Sequence, residues 1–258
     1  MLAGCAHAVA PGDTVFGVMG DAPYNADEVQ RLERLIDEMN AQPLAFVAHV
    51  GDIGSGAQAC SDPWLLQRKT QFGRLRHSFV LLPGDNEWTD CRQPLARLAS
   101  FRNAFCGPVP GLATEVQKGE FCEHRRWETA GWVFVTLNVP GSNNNVRHPE
   151  HAPRMKVVLE WLDQGAALAE RREGLVVLMQ ANPFITFPRD GYAPLRERLA
   201  ALGERRPGRV VLIHGDTHVY RQDEPFPGVR RIEVWGSPIV SWLRISLRGA
   251  QLRVDAVR

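Results

Sequence analysis

Four apolar runs in this chain end in the same two residues. "TVFGVMGD" closes on Asp21, "LAFVAHVGD" on Asp52, "FVLLPGD" on Asp85 and "RVVLIHGD" on Asp216. A single Gly-Asp turn would mean little, because aspartate is common in turns and commonly caps the next helix. Repetition at successive strand ends is another matter. In an open α/β sheet the crevice beyond the carboxyl ends of the strands is where ligands bind, so these turns gather their carboxylates into a small space. Left alone, such groups repel one another and some take up protons. A divalent cation removes the conflict, and the glycine before each aspartate lets the backbone approach closely. Metal binding is the chemistry these residues predict.

The elements that must position them are legible in the periodicity. "NADEVQRLERLIDEMN" places Val29, Leu32, Ile36 and Met39 on one helical face. Asn25 and Glu28 read as a capping box at its start, with Pro43 just beyond its end. Further helices are expected over 63–75, 94–104, 154–171 and 192–202. "GWVFVTLN", "LVVLMQ" and "VVLIHG" are continuous apolar runs, as expected of strands covered on both faces. After Asp216, "VRRIEVWG", "SWLRISLRG" and "QLRVDAV" alternate without an intervening helix and predict an antiparallel meander. Segment 138–151, "NVPGSNNNVRHPEH", is long and polar and reads as a loop without regular structure, a kind that usually serves function. No linker or repeat interrupts the chain. Residues 13–258 are therefore expected to form a single domain behind a separate segment, 1–12.

A formal net charge of +1 argues against nucleic acid or a membrane surface as the main partner. No GxGxxG follows the first strand, which disfavours a dinucleotide-dependent enzyme. At the start, Leu2-Ala3-Gly4-Cys5 is similar to a bacterial lipobox, whose cysteine carries the lipid anchor. That reading implies a basic start and an apolar stretch encoded upstream. Cys60, Cys91, Cys106 and Cys122 remain, with no CxxC metal spacing. Cys60 and Cys91 follow the Asp52 and Asp85 turns and would meet if those strands are neighbours. Cys106 and Cys122 flank a Gly/Pro-rich loop. Two disulfides and an oxidising periplasm are the expectation; buried free thiols in the cytoplasm are the alternative.

The ordered set "GDAPY" at Asp21, "GDIGSG" at Asp52, "GDNE" at 84–87, Gln180 in "VLMQAN", "GDTH" at 215–218 and "GSP" at 236–238 resembles the calcineurin-like metallophosphoesterases. The resemblance implies a four-layer α/β/β/α sandwich with two mixed sheets. It also implies a site of one or two divalent ions. Asp21, Asp52 and His218 would hold the first; Asp52, Asp85, Asp216 and the side-chain oxygen of Gln180 would hold the second. The implied activity is hydrolysis of a small phosphorylated substrate by metal-activated water.

Departures from the family pattern shape the expectation. The family's histidine two residues after the first aspartate is Pro23, the asparagine of its GNHE motif is Asp85, and the first histidine of its GHxH motif is Asp216. Oxygen in place of imidazole shifts preference from Zn²⁺ towards Mn²⁺, Mg²⁺ or Ca²⁺. The aspartates also neutralise two divalent ions, leaving less positive charge for phosphate. Arg147, His148 and Arg221 are candidates to restore it. Asn86 stands where the family has the histidine beside the leaving oxygen, and an amide gives up no proton. His49 and His214 are the candidates to replace it. In purple acid phosphatases the ligating tyrosine follows the second motif, so the resemblance gives Tyr24 no ligand role. A protein of this fold that binds metal or a phosphorylated ligand with little turnover is the rival reading.

Overall fold

The computed structural model describes residues 12–257. The expectation for Leu2–Cys5 lies outside them. A five-stranded sheet has the order β12-β11-β1-β2-β3, comprising β1 (Thr14–Met19), β2 (Phe46–His49), β3 (Ser78–Leu81), β11 (Leu243–Arg248) and β12 (Gln251–Ala256). A seven-stranded sheet has the order β4-β5-β6-β7-β8-β10-β9. Its strands are β4 (Glu115–Val116), β5 (Arg125–Thr129), β6 (Trp132–Thr136), β7 (Gly174–Leu178), β8 (Val210–His214), β9 (Arg221–Phe226) and β10 (Val229–Glu233). Both sheets are mixed: β1, β2 and β3 are parallel, as are β6, β7, β8 and β10, with antiparallel strands at the flanks.

Strand alternation builds the layers. Phe16 and Val18 of β1 face Phe134, Val176, Leu178 and Ile213 in the core between the sheets. Val15 and Met19, one residue out of phase, pack against α1 (Ala26–Asn40) and α3 (Asp62–Phe72) through Leu32, Ile36 and Leu65. On the other side Val133, Val135, Leu175, Val177 and Leu212 meet α6 (His151–Ala169) and α7 (Ala193–Arg205). Two periods of apolar residues per strand, one for each face, explain why these strands read as unbroken apolar runs. The result is the expected α/β/β/α sandwich.

Helix α1 begins as the sequence predicts, with Glu28 N–H donating to Asn25 Oδ1 at 2.9 Å. Glu28 itself accepts from Tyr24 N–H at 2.7 Å, which ties the helix start to the first Gly-Asp turn. Helix α4 (Pro94–Phe105) also follows its prediction, and single turns lie at α2 (Gly56–Ala59) and α5 (Gly141–Asn144). The predicted meander is corrected. β10 joins the seven-stranded sheet parallel to β8, whereas β11 and β12 cross to the other sheet and pair with β1. Alternation with period 2 specifies a strand but not the sheet it joins.

Both expected disulfides are present. Cys60–Cys91 has a Cα–Cα distance of 5.6 Å and Cys106–Cys122 one of 5.5 Å. β2 and β3 are neighbours, which brings the first pair together. Each bridge contributes about 3 kcal/mol by restricting the unfolded chain. The bridges point to an oxidising compartment, extracellular or periplasmic. Among the described residues no helix is long and apolar enough to cross a membrane.

Candidate metal centre

The parallel strands of both sheets end on one side of the sandwich, and their last turns meet there. Asp21 follows β1, Asp52 follows β2, Asp85 follows β3, Gln180 follows β7 and Asp216 follows β8. Asp21 and Asp52 are buried, at 0% and 3% exposure. Asp21, Asp52, Asp216 and His218 all have positive φ, between 49° and 83°, a conformation that non-glycine residues adopt rarely and at functional sites. The turns also interlock. A methyl group on Gly84 would collide with Asp52 Oδ1, and one on Gly215 with Asp21 Oδ2. Each of these glycines is needed because the carboxylate of another turn passes over it.

Direct contacts show how close the acids lie. Gln180 Nε2 donates towards Asp52 Oδ2 at 3.1 Å, Asp85 Oδ1 at 3.2 Å and Asp216 Oδ1 at 3.5 Å. Asp216 N–H donates to Asp21 Oδ1 at 3.0 Å. Asp21 Oδ2 is buried without a hydrogen-bond partner. His218 Nδ1 donates to the Ser237 carbonyl at 2.7 Å, which fixes the tautomer and leaves the Nε2 lone pair facing Tyr24 and Asp21.

Burial pushes the carboxyls of Asp21 and Asp52 well above the usual range, with neighbouring carboxylates adding to the effect. Asp85 is raised for the same reasons. Burial also carries Asp216 and Glu87 up to about 7, from ordinary values of 3.8 and 4.5. These acids hold more protons in the folded chain than in the unfolded one and favour folding less as pH rises. His49, His124 and His214, pushed down by burial, act in the opposite sense below about pH 6.5. Above that the acids alone titrate, and stability falls as pH rises through about 7. In chelator, the midpoint of thermal unfolding is expected to drop from pH 6.5 to pH 7.5 by about 5 °C. Added Mn²⁺ should recover most of the loss at pH 7.5. A flat profile in chelator would show that the acids do not repel.

Two residues unassigned from sequence organise the site. Glu87, at 0% exposure, accepts from Asp52 N–H at 2.9 Å, Ile53 N–H at 2.9 Å and Gly84 N–H at 2.6 Å. It staples the second turn to the third. Tyr24 OH donates to Asp52 Oδ2 at 3.0 Å and accepts from Asn86 Nδ2 at 3.0 Å. Burial and the nearby acids push the Tyr24 phenol upward, so it stays a donor. Glu87 in "GDNE" was visible as a motif residue; Tyr24 carried no signal beyond its place after Asp21.

The loop at 138–151 is ordered, contrary to the reading from sequence. Ser142, Asn143, Asn144 and Asn145 all have φ between 49° and 56°, forming a left-handed turn. Such a turn is costly for most residues, and asparagine tolerates it best. Arg154 donates to Asn144 Oδ1 at 2.7 Å and to Asn144 O at 2.9 Å, while Tyr192 OH accepts from Asn144 N–H. These contacts hold Gly141 against Asp85 and Asp216, and Ser142 Oγ 2.9 Å from Asp85 Oδ2.

Several expectations are corrected. The Gln180 oxygen faces away from the acids and accepts from Gly141 N–H at 2.5 Å; its amide nitrogen occupies the centre. His49 is buried, bonded to the Ala22 carbonyl and Gly51 N–H, and held neutral with its value pushed down to about 4. His214 is equally buried, donates to its neighbour's carbonyl and is pushed down to about 3. Neither is placed to protonate a leaving group. Arg221 pairs with buried Glu233 at 3.4 Å, behind the turn bearing Asp216. Arg147 is exposed and His148 accepts from Glu150 N–H, with no bond from either to the acids among the described residues.

No family model and no curated protein sequence matches the chain. Solved structures do. A dimetal phosphatase from Danio rerio superposes with a TM-score of 0.63 at 14% identity, covering 94% of this chain and 95% of that one. GAP50, the anchor in the inner membrane complex of Plasmodium, gives 0.61 at 13% identity, covering 95% and 84%. A 5'-nucleotidase precursor from Thermus thermophilus gives 0.53 at 16% identity, with 95% of this chain spanning 54% of that one. At such identities the likeness establishes architecture alone. Taken with the strand order and the converging turns, it shows that the chain has the calcineurin-like metallophosphoesterase fold.

Proposed function

We propose that the chain is a metal-dependent hydrolase of phosphate esters. The observation that supports this most strongly is the convergence of Asp21, Asp52, Asp85, Asp216 and Nε2 of His218 at one end of the sandwich. The donor set fits a divalent cation. Asp21 Oδ2 is orphaned, and the groups that face Asp52, Asp85 and Asp216 among the described residues are neutral donors: the Gln180 amide, the Tyr24 and Ser142 hydroxyls and the Asn86 and Asn182 N–H groups. The four aspartates and His218 would hold one or two ions, with Mn²⁺, Mg²⁺ or Ca²⁺ preferred over Zn²⁺ by oxygen-rich ligation. When bound, the metal would supply Lewis acidity and a water acidic enough to attack phosphorus.

The chain's own residues then divide the remaining work. Glu87 and Tyr24 orient Asp52, and Asn182 N–H fixes Asp216 with a 2.8 Å bond. Asn86, beside Tyr24, offers an amide donor to a substrate oxygen but no proton to release. With His49 and His214 turned away, the leaving group takes its proton from solvent. Good leaving groups should therefore be favoured.

Elemental analysis of the purified protein with a panel of phosphate esters tests the reading. Bound divalent metal and Mn²⁺-dependent turnover of aryl esters are expected, with alkyl esters slower by at least about a hundredfold, the scale of one missing general acid. Stoichiometric metal without turnover of any ester would favour the non-catalytic binding protein. Absence of metal affinity would overturn both.

A further inference from the structure

The end of the sandwich opposite the metal centre has a different chemistry. β1 starts there at Thr14, and so do β7, β8 and β10, while β11 ends there at Arg248. Arg171, Arg205 and Arg253 are exposed at this end and bond to no carboxylate among the described residues. Arg206 donates to the carbonyls of Ala169 and Arg172, and Arg230 to the Leu252 carbonyl and Gln222, so their charges also stay uncompensated. Arg172, Arg209 and Arg248 are paired with Glu128, Glu173 and Asp13. Glu170, Glu204 and Glu224 are the nearby acids without an arginine partner among the described residues, against five uncompensated arginines, so the face remains basic although the whole chain is almost neutral.

This face is also concave. A cleft of about 320 Å³ between the ends of α6 and α7 is lined by Ala166, Ala169, Leu175 and Leu202, with Glu170, Arg205 and Arg206 also bordering it. A second hollow, of about 410 Å³, lies between the starts of β6, β8 and β10 and the β11–β12 turn, bordered by Arg230 and Arg253. The described chain enters here at Gly12, and Cys5 of the lipobox-like sequence stands seven residues earlier.

We propose that this face docks on a membrane surface, through the headgroups of anionic phospholipids, with the metal centre turned away from the bilayer. Charge complementarity selects the occupant, and the point where the chain enters sets the orientation. A basic patch beside the point where the chain enters adds electrostatic attraction to anionic headgroups. Each arginine near an anionic surface strengthens binding about fivefold, and salt screens the effect.

Co-sedimentation of the unlipidated full-length chain with vesicles provides the test. Binding is expected to phosphatidylcholine vesicles containing about one-third phosphatidylglycerol, and not to phosphatidylcholine alone. It should vanish at high salt and weaken by about 25-fold in Arg205→Gln/Arg253→Gln, whose changed side chains are exposed. Glu170→Gln should strengthen it, a gain that misfolding cannot mimic. Asp52→Asn should bind vesicles like the parent, because the metal centre lies at the other end. Equal binding to neutral vesicles, indifference to the arginine changes, or loss in Asp52→Asn would each overturn the proposal. So would binding of RNA or heparin without binding of vesicles.

Discussion

Asp52→Asn is expected to abolish metal binding and, at pH 7.5 in chelator, to raise the thermal midpoint of the protein. The two effects share one cause. Asp52 is buried beside Asp85, Glu87 and Asp21, whose charges all oppose its ionisation. Both of its oxygens face the site, Oδ2 towards Tyr24 and Gln180 and Oδ1 towards Asn86 N–H. A neutral amide relieves the repulsion but removes the acid that the geometry places nearest the centre. Changing a residue that merely supports metal ligands typically weakens binding by about 10–100-fold, so loss of this carboxylate should exceed that range. Calorimetric titration with Mn²⁺ and melting curves with and without chelator measure both effects. A variant that binds Mn²⁺ like the parent would show that the four acids are turns and caps only.

Glu87→Ala is expected to lower stability by about 3–9 kcal/mol, because three buried N–H donors lose their acceptor and each such loss costs about 1–3 kcal/mol. Those donors belong to Asp52, Ile53 and Gly84, in two different turns. The turns bearing Asp52 and Asp85 should separate, and Mn²⁺ affinity should fall with stability. Glu87→Gln keeps one acceptor oxygen and the side chain's volume, so its loss should be roughly half as large. The Cys60–Cys91 bridge, whose Cys91 Sγ lies 3.4 Å from the Asn86 carbonyl, limits how far the third turn can move. Urea denaturation of both variants ranks the effects. Equal, near-zero losses would mean that the staple is redundant with the bridge.

Much of this protein was legible in local sequence, and what was not has a common reason. Each Gly-Asp turn follows its own apolar run, so a window of about eight residues contains the strand, the turn and the acid. The Asn25 cap of α1 and the helix starting at Pro94 are local in the same way. The side chains' aims are not. Gln180 reaches Asp52 across 128 positions and Tyr24 reaches His218 across 194, so only packing of the two sheets decides that an amide nitrogen fills the centre. His49 and His214 stand on strands ending beside the acids, but the phase of each strand turns the ring into the interior. Segment 142–145 shows the same limit: three asparagines permit a left-handed turn, and Arg154 and Tyr192 select it. Sequence determined which acids arrive at the site, because strand ends are a local property. Tertiary structure decided which groups face them, because that depends on how separate strands and loops pack together.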